Sequence, residues 1–467
     1  MFSPFHTFTT FENFGHSLQA SSYRVAIQRP DDLYHAFQVA KKLGLKVVAR
    51  GTGLSYNDAS LNGGGLTLDL RGMNQITAWD PASGVVQCEA GVTLEQLWQR
   101  IEPDGWWLPV VSGTMKTTLG GCLATNIHGK NNLQAGVIGE HVIEFTAMLP
   151  TGALVTCTPK KNADLFYALI GGFGMLGIFT SVTLQTKRIY SGLLVVEARP
   201  VRNLREHLAD LLENAPNYDY IVGWLDTFPS GQNLGRGQIH AARNLAEGED
   251  SRAQETLQLA YQRLPDRLLG VMPKSLLHYF MQPFVNNLGW RAVNFAKYIS
   301  SLRRHTFKQS HAAFHFLLDY VPSWERSFGR GGLIQYQSFL PQETAEDAWR
   351  EMLRYSQRQG LPSYLGVTKR HRPDEFLLTH SVDGFSLALD FKVTDIKRAK
   401  LAHMLQEFDR IVLNAGGRFY FAKNSETNAE LTRVFLGAET IAKFKKLKKR
   451  CDPNRILESD LYRRVFT

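Results

Sequence analysis

The stretch Arg50–Gly65, RGTGLSYNDASLNGGG, offers many main-chain N–H groups and little side-chain bulk. Backbone of that kind can close directly around a phosphate. It follows LKVVA (45–49), which reads as a short buried strand, so a strand leads into G-x-G. A Rossmann dinucleotide site would need a third glycine and a helix opening there. SYNDASLNGGG reads instead as continuing loop, and that unit is excluded. Alone, the loop reads better as a glycine-rich surface turn. Two more glycine-bearing loops follow, SGTMKTTLGGCLATNIHGKN (112–131) and GGFGMLGIFTSVTL (171–184), the latter running into a strand. Three such loops, each beside a strand, converge on one extended ligand better than on three separate turns.

Other residues could do chemistry beside such a ligand. Gln335 and Gln337 occupy alternate positions of LIQYQSFL (333–340) and so share one strand face. Their amides could hold sugar hydroxyls, or could simply make a polar outer face. Four cysteines, Cys88, Cys122, Cys157 and Cys451, lie far apart without metal spacing, so neither a disulfide framework nor a metal site is expected.

The elements that position these loops are legible. Pro30-Asp31-Asp32 suits a helix start; Leu33, Ala36, Phe37 and Ala40 follow at helical spacing, and Gly44 supplies the stop. Short strands are expected at 65–70, 76–80 and 84–92, then a helix from Thr93 to Ile101. Around Tyr190 the texture changes to more aromatic and helical stretches, with strands at 333–340 and 385–393, which reads as a second domain. From Gly416 a glycine-turn-strand pattern returns, followed by a basic helix. Its run from Lys443 to Arg450 reads as a solvated helix face.

A chain of 467 residues is longer than one core usually grows, so two domains are expected. No apolar run suggests a membrane span, and the N-terminus lacks the pattern of a secretory signal. The net charge of +10 favours anionic partners: phosphorylated substrates, an acidic membrane surface or nucleic acid. No nucleic-acid-binding module is recognisable, and such a role would leave the glycine loops unexplained. Between Arg267 and Leu318 there is no Asp or Glu, while Arg267, Lys274, Arg291, Lys297, Arg303, Arg304 and Lys308 are basic. Leu276, Leu277, Tyr279, Phe280, Phe284, Trp290 and Phe295 are interleaved with them. That mixture suits an anionic membrane interface, or an ordinary basic helical lid.

Taken together, RGTGLSYNDASLNGGG, LPVVSGTMKTTLGGCLATNIHGKN, AGVIGEHV (135–142), GGFGMLGI, LIQYQSFLP, VTKRH (367–371) and GGRFYFAKNS resemble the FAD-linked oxidases of the vanillyl-alcohol oxidase type. Within them the chain is most similar to the decaprenylphosphoryl-ribose oxidase family, and IHGKN followed by FAKNS is the most specific pair. The resemblance implies an α+β architecture. A PCMH-type FAD-binding domain of two subdomains would span 1–190 and a separate α+β substrate domain, an antiparallel sheet with helices, 191–412. A segment 413–467 would return to the first domain. It also implies oxidation of the 2-hydroxyl of a polyprenyl-phosphate-linked pentose, the oxidase half of a 2-epimerisation in cell-envelope synthesis. A short-chain NAD(P)H reductase would complete that reaction. The enzyme would be bacterial, cytoplasmic or peripherally bound to the inner membrane face.

By match, Gly51, Gly53, Ser55, Asn57, Gly113, Thr114, Thr118, Gly121, His128, Gly129, Asn131, Gly136, Ile178 and Tyr420 are expected to line the cofactor. Leu54 stands where many of the superfamily carry a flavin-bonding histidine, so the FAD is expected to be non-covalent. Oxidising an alcohol requires hydride transfer to flavin N5 and removal of the hydroxyl proton. The resemblance places Lys423 at the flavin–substrate junction, with His128 and Tyr56 as further catalytic candidates. Tyr56, Trp224, His315, Gln335, Gln337, Lys369 and Lys423 are expected around the substrate, Lys369 meeting its phosphate. His315 replaces a typical tyrosine, His371 a phenylalanine, and Ala388 a cysteine of mycobacterial relatives. A soluble alditol or aldonolactone oxidase is the alternative, although Leu54 and the absence of a C-terminal H-W-x-K motif disfavour it.

Overall fold

The computed structural model describes residues 7–268, 272–302 and 305–467. Residues 1–6, which open the N-terminal stretch unlike a signal, and the basic pair Arg303 and Arg304 lie outside them.

Helix Pro30–Leu43 forms where the proline and acids predict it. Asp32 accepts hydrogen bonds from the main-chain N–H groups of Gln28 and Arg29, and Gly44 ends the helix at φ +66°. That left-handed turn favours glycine. Leu33, Ala36, Phe37 and Ala40 are buried against Val47, Leu66 and Leu68. These belong to a four-stranded sheet in which Gln19–Ala26 and Val47–Arg50 run parallel on either side of Leu66–Asp69, with Thr7–Glu12 antiparallel at one edge. A second, antiparallel sheet orders Ile76–Asp80, Val85–Glu89, Ile178–Gln185, Val142–Met148 and Leu154–Cys157. Met148 and Ile178 join the first sheet's core, so the two layers meet directly.

The stretch 112–131 is not all loop. Thr118 Oγ1 accepts from the Gly121 N–H and caps a helix over Leu119–Thr125. Glycine disfavours helix on propensity, but packing selects it here: a Cβ at Gly120 would lie 2.8 Å from that of Ala90. Close approach of helix and strand thus overrides the local signal.

The third sheet has eight antiparallel strands in the order His305–Ser310, Leu193–Val201, Gly237–Asn244, Tyr220–Leu225, Leu365–His371, Gly384–Lys392, Leu333–Pro341 and Arg418–Phe419. Helices Ala345–Arg358 and Arg398–Asn414 cover one face. Trp349 Nε1 donates to Ser338 Oγ at 3.0 Å, and the Tyr336 hydroxyl donates to Asp409 Oδ1 at 2.9 Å. Strand alternation therefore turns Gln335 and Gln337 to the opposite face. Both are buried, which removes the polar-outer-face reading.

The tail corrects another expectation. In helix Ala438–Cys451, Lys443, Lys445, Lys446, Lys449 and Arg450 are exposed, but Lys448 is buried. Its Nζ donates to Asp452 Oδ2 at 2.8 Å and to the carbonyls of Met175 and Leu457 at 2.7 and 2.5 Å. Leu457 bridges to Val47, and Arg464 makes a forked pair with Asp58 at 2.9 and 2.6 Å. The tail thereby buttresses the first and third glycine loops. Among the described residues no helix is long and apolar enough to cross a membrane.

Candidate active site

A cavity of about 620 Å³ opens between the glycine loops and the free face of the eight-stranded sheet. Gly51, Gly53, Ser55, Gly113, Thr114, Thr118, Gly121, Gly174 and Ile178 form its loop wall. The main-chain N–H groups of Thr52, Gly53, Leu54 and Ser55, all lining the cavity, donate to nothing among the described residues. Partly buried donors without partners mark a place where a ligand supplies the acceptors. Asp319 secures the neighbouring loop, taking the Thr114 hydroxyl on Oδ1 and the Met115 N–H on Oδ2, each at 2.8 Å.

The sheet wall follows from register. Gln335 faces Asp390, Gln337 faces Ala388, Ala388 faces Val367, and Val367 faces Trp224. Trp224 in turn faces Gln238, and Val222 faces His240. Each of these lines the cavity, as do Lys369, Lys130, Lys297 and His315. At one end the Gln335 amide donates to Asp390 Oδ1 at 2.6 Å, and Lys423 Nζ lies 3.8 Å from the centre of the Tyr56 ring. In the middle, His128 has its Nε2 3.2 Å from the Gln337 amide nitrogen and its Nδ1 3.4 Å from Lys369 Nζ. Phe339, His371, His380 and Tyr420 ring it about.

Four lysines share this cavity with Asp390, and burial dominates their ionisation. It lowers Lys423 to about 7, Lys130 to about 7 and Lys369 to about 8, and depresses Lys297 as well. Burial raises Asp390 to about 6 against the opposing pull of the Gln335 amide and of Lys423. His128 is pushed well below the ordinary histidine value by burial and then by Lys369, so it stands neutral at pH 7. The arrangement can hold an anion, orient hydroxyl groups and accept or donate protons near neutral pH.

Of the site residues expected from the sequence, four do not line the cavity. The Asn57 amide donates to the Phe421 carbonyl and its Oδ1 accepts from Ala59 N–H, pinning the two halves of the wall together. Asn131 donates to the Pro109 carbonyl at 2.7 Å, and Gly129 leaves room for that side chain. Gly136, at φ +67°, sits beneath Glu140 and Arg372. The His371 difference likewise lies behind His128: its Nε2 meets Ser386 Oγ at 2.7 Å, fully buried. His315 and Ala388 do face the cavity, His315 stacking on Trp107 at 5.5 Å. Sequence reasoning passed over Asp390, Lys130, Gln238 and His240. Asp390 follows Ala388 at the alternate position of FSLALDFKV, and His240 follows Gln238 in the same way, so alternation carries a signal for both.

Residues 21–158 match the FAD binding domain family model. The chain is 30% identical over 431 residues to the decaprenylphosphoryl-beta-D-ribose oxidase of Mycolicibacterium smegmatis, covering 92% of this chain and 91% of that relative. The chain belongs to the decaprenylphosphoryl-ribose oxidase family of FAD-linked oxidases. It is an FAD-dependent oxidoreductase with the α+β, PCMH-type fold that the loops implied. An uncharacterised protein of Streptomyces coelicolor is 27% identical over 392 residues, 80% of this chain and 100% of its own. The putative D-arabinono-1,4-lactone oxidase of Neurospora crassa is 28% identical over 160 residues, 34% of this chain and 28% of its own. The residues present fit FAD: four free N–H groups suit a pyrophosphate, and bulk is excluded where Gly51 abuts Thr118.

Proposed function

We propose that the enzyme oxidises the 2-hydroxyl of a polyprenyl-phosphate-linked pentose to a 2-keto product, with a short-chain NAD(P)H reductase completing an epimerisation for cell-envelope glycans. One observation carries this reading. Similarity to the ribose oxidase runs through the sheet that walls the substrate side, whereas similarity to the lactone oxidase covers about a third of the chain. The Neurospora match favours a second reading, a soluble alditol or aldonolactone oxidase.

In this reading residues 1–190 and 413–467 hold the cofactor and 191–412 the substrate. The Thr52–Ser55 amides, Gly51, Gly113, Thr114, Thr118, Gly121 and Ile178 hold FAD, with His128 and Tyr420 beside its ring system. When bound, FAD supplies the electron acceptor. Gln335 and Gln337 orient sugar hydroxyls, Trp224 packs against the sugar or its lipid, and Tyr56 with Lys423 frames the reacting carbon. Lys423, while protonated, sets a positive charge where negative charge develops, and neutral His128 can take a hydrogen bond without repelling a cation. The test is anaerobic bleaching of the bound flavin against polyprenyl-phosphoryl pentoses and free alditols or lactones. Bleaching by the lipid-linked pentoses alone is expected; bleaching by free lactones alone would select the second reading.

Leu54 lines the cavity and cannot bond to a flavin. Acid or heat precipitation is therefore expected to leave yellow flavin in the supernatant; flavin that stays with the pellet would mean a covalent link through another residue.

The segment after residue 267 supports a peripheral membrane role at the inner face. Tyr279, Phe280, Phe284 and Leu288 are 64%, 59%, 66% and 79% exposed, a cluster of apolar side chains that water alone does not favour. Lys274 is buried and Lys297 turns into the cavity, while among the described basic residues of the segment Arg267, Arg291 and Lys308 are exposed. Sedimentation with phosphatidylglycerol vesicles is expected, and Phe280→Asp with Phe284→Asp should abolish it while leaving FAD content unchanged. Equal sedimentation of the double variant would remove this surface from the proposal.

A further inference from the structure

We propose that Lys130, His240 and Lys297 form a phosphate subsite at the end of the cavity away from Tyr56 and Lys423, built to grip the phosphate of an apolar-chain phosphoester. The assignment rests on the lipid-phosphate reading above and names the residues that would recognise it.

Each of the three is placed by a different element. Strand Gly237–Asn244 turns Gln238 and His240 to the cavity. Helix Asn287–Ser300 carries Lys297, and one turn earlier Asn294 pins that helix to the sheet. Asn294 is 1% exposed, accepts from Trp224 Nε1 at 2.6 Å and donates to the Tyr364 carbonyl at 3.1 Å. The docking leaves Lys297 Nζ 4.5 Å from the centre of the Trp224 ring. Lys130 follows His128 by two residues. Its ammonium donates to the Phe314 carbonyl, reaches that of His315 at 3.4 Å, and lies 4.4 Å from the Phe314 ring. With three N–H groups it retains one to offer.

The charges of Lys297 and Lys130 both bear on His240. None of the three makes an ion pair among the described residues, and Asp390 is held by Gln335 at the other end. Burial, and then the two lysines, lower His240 to about 3, so it stands neutral and the cations are Lys130 and Lys297. Two such cations without a counter-ion in a cavity are costly, and a ligand that brings negative charge removes that cost. Gln238, 4% exposed, lines the cavity from the same strand as His240. Lys369, the lysine expected from sequence to meet phosphate, is instead turned to His128. The cofactor's own phosphates have the Thr52–Ser55 amides on the opposite wall.

Calorimetric titration of the oxidised holoenzyme, which involves no turnover, tests the subsite with farnesyl phosphate, farnesol and inorganic phosphate. Farnesyl phosphate is expected to bind at least about tenfold more tightly than farnesol, as a charge-assisted hydrogen bond implies. Lys297→Met and Lys130→Met should each remove about tenfold of the farnesyl phosphate affinity without changing that of farnesol. Equal binding of farnesyl phosphate and farnesol, or both variants binding like wild type, would overturn the subsite. Inorganic phosphate binding as tightly as farnesyl phosphate would overturn the lipid part and leave a free-phosphate site. If no pentose bleaches the flavin but the variants still lose farnesyl phosphate, the substrate reading fails and the subsite stands.

Discussion

Replacing Lys423 with methionine is expected to lower turnover by about 10²–10³-fold while leaving FAD content unchanged and the folded protein slightly more stable. The argument starts from cost. Burial takes this ammonium from its ordinary 10.5 to about 7; Asp390 helps it and Lys369 opposes it. The Tyr56 ring at 3.8 Å returns only on the order of 0.5–2 kcal/mol of cation–π attraction. A group held at a net loss is retained for what it does to a ligand, and methionine keeps its length without its charge. The stability gain has a pH signature. Between about 7 and 10.5 the unfolded chain binds the Lys423 proton and the native one does not, so wild-type stability rises with pH across that window. The advantage of Lys423→Met is therefore full below pH 7 and gone above 10.5. Lys423→Arg, which keeps the charge, should recover part of the turnover and lose any alkaline limb near 7. Denaturant unfolding across pH and single-turnover flavin reduction check both halves. A variant as fast as wild type would remove Lys423 from the chemistry, and one that is slow and less stable would make it a structural residue.

Much of this site was legible in the sequence, for a physical reason. Loops that meet a phosphate with bare backbone must be glycine-rich and sit beside strands, and that pattern survives in one dimension at 50–65, 112–131 and 171–184. Alternation alone likewise puts Gln335 and Gln337 on one face of their strand. What alternation cannot say is which face is covered. Trp349 and Asp409 settle that from helices far along the chain, through Ser338 and Tyr336. The helix Leu119–Thr125 was hidden because its Gly120 answers to Ala90 across a contact that local sequence does not show. Asn57, Asn131 and Gly136 carry motif identity yet support the wall from behind, since a motif records everything a loop needs and not only what touches the ligand. His240 and Lys297 were missed as a pair because they come from a strand and a helix far apart in sequence, which Asn294 helps to dock through Trp224 and Tyr364.

Lys448 and Asp452 were hidden for the same reason, and they carry the largest stability effect expected outside the cavity. Lys448 sits in a run of basic residues whose other members face solvent, but it is four residues before an aspartate that is fully buried. Asp452 Oδ1 accepts from the Ile456 N–H, and Oδ2 from the Leu457 N–H and Lys448 Nζ, each at 2.8 Å. Every lone pair used here holds the turn that returns the chain to Val47. Asp452→Ala strands the buried ammonium with carbonyls alone, and about 3–5 kcal/mol of stability should be lost. Lys448→Met should cost less, because the carboxylate keeps two main-chain donors, and the double variant should lose less than the sum of the two. The effect reaches the cofactor through Met175, whose carbonyl accepts a hydrogen bond from Lys448 Nζ within the loop that presents Gly174 and Ile178 to the cavity. FAD affinity should therefore fall in both single variants, measured by fluorescence on refilling apoprotein, whereas an exposed neighbour such as Lys446→Met should change neither quantity. Loss of stability without loss of FAD affinity would show that the third glycine loop holds its shape without the tail.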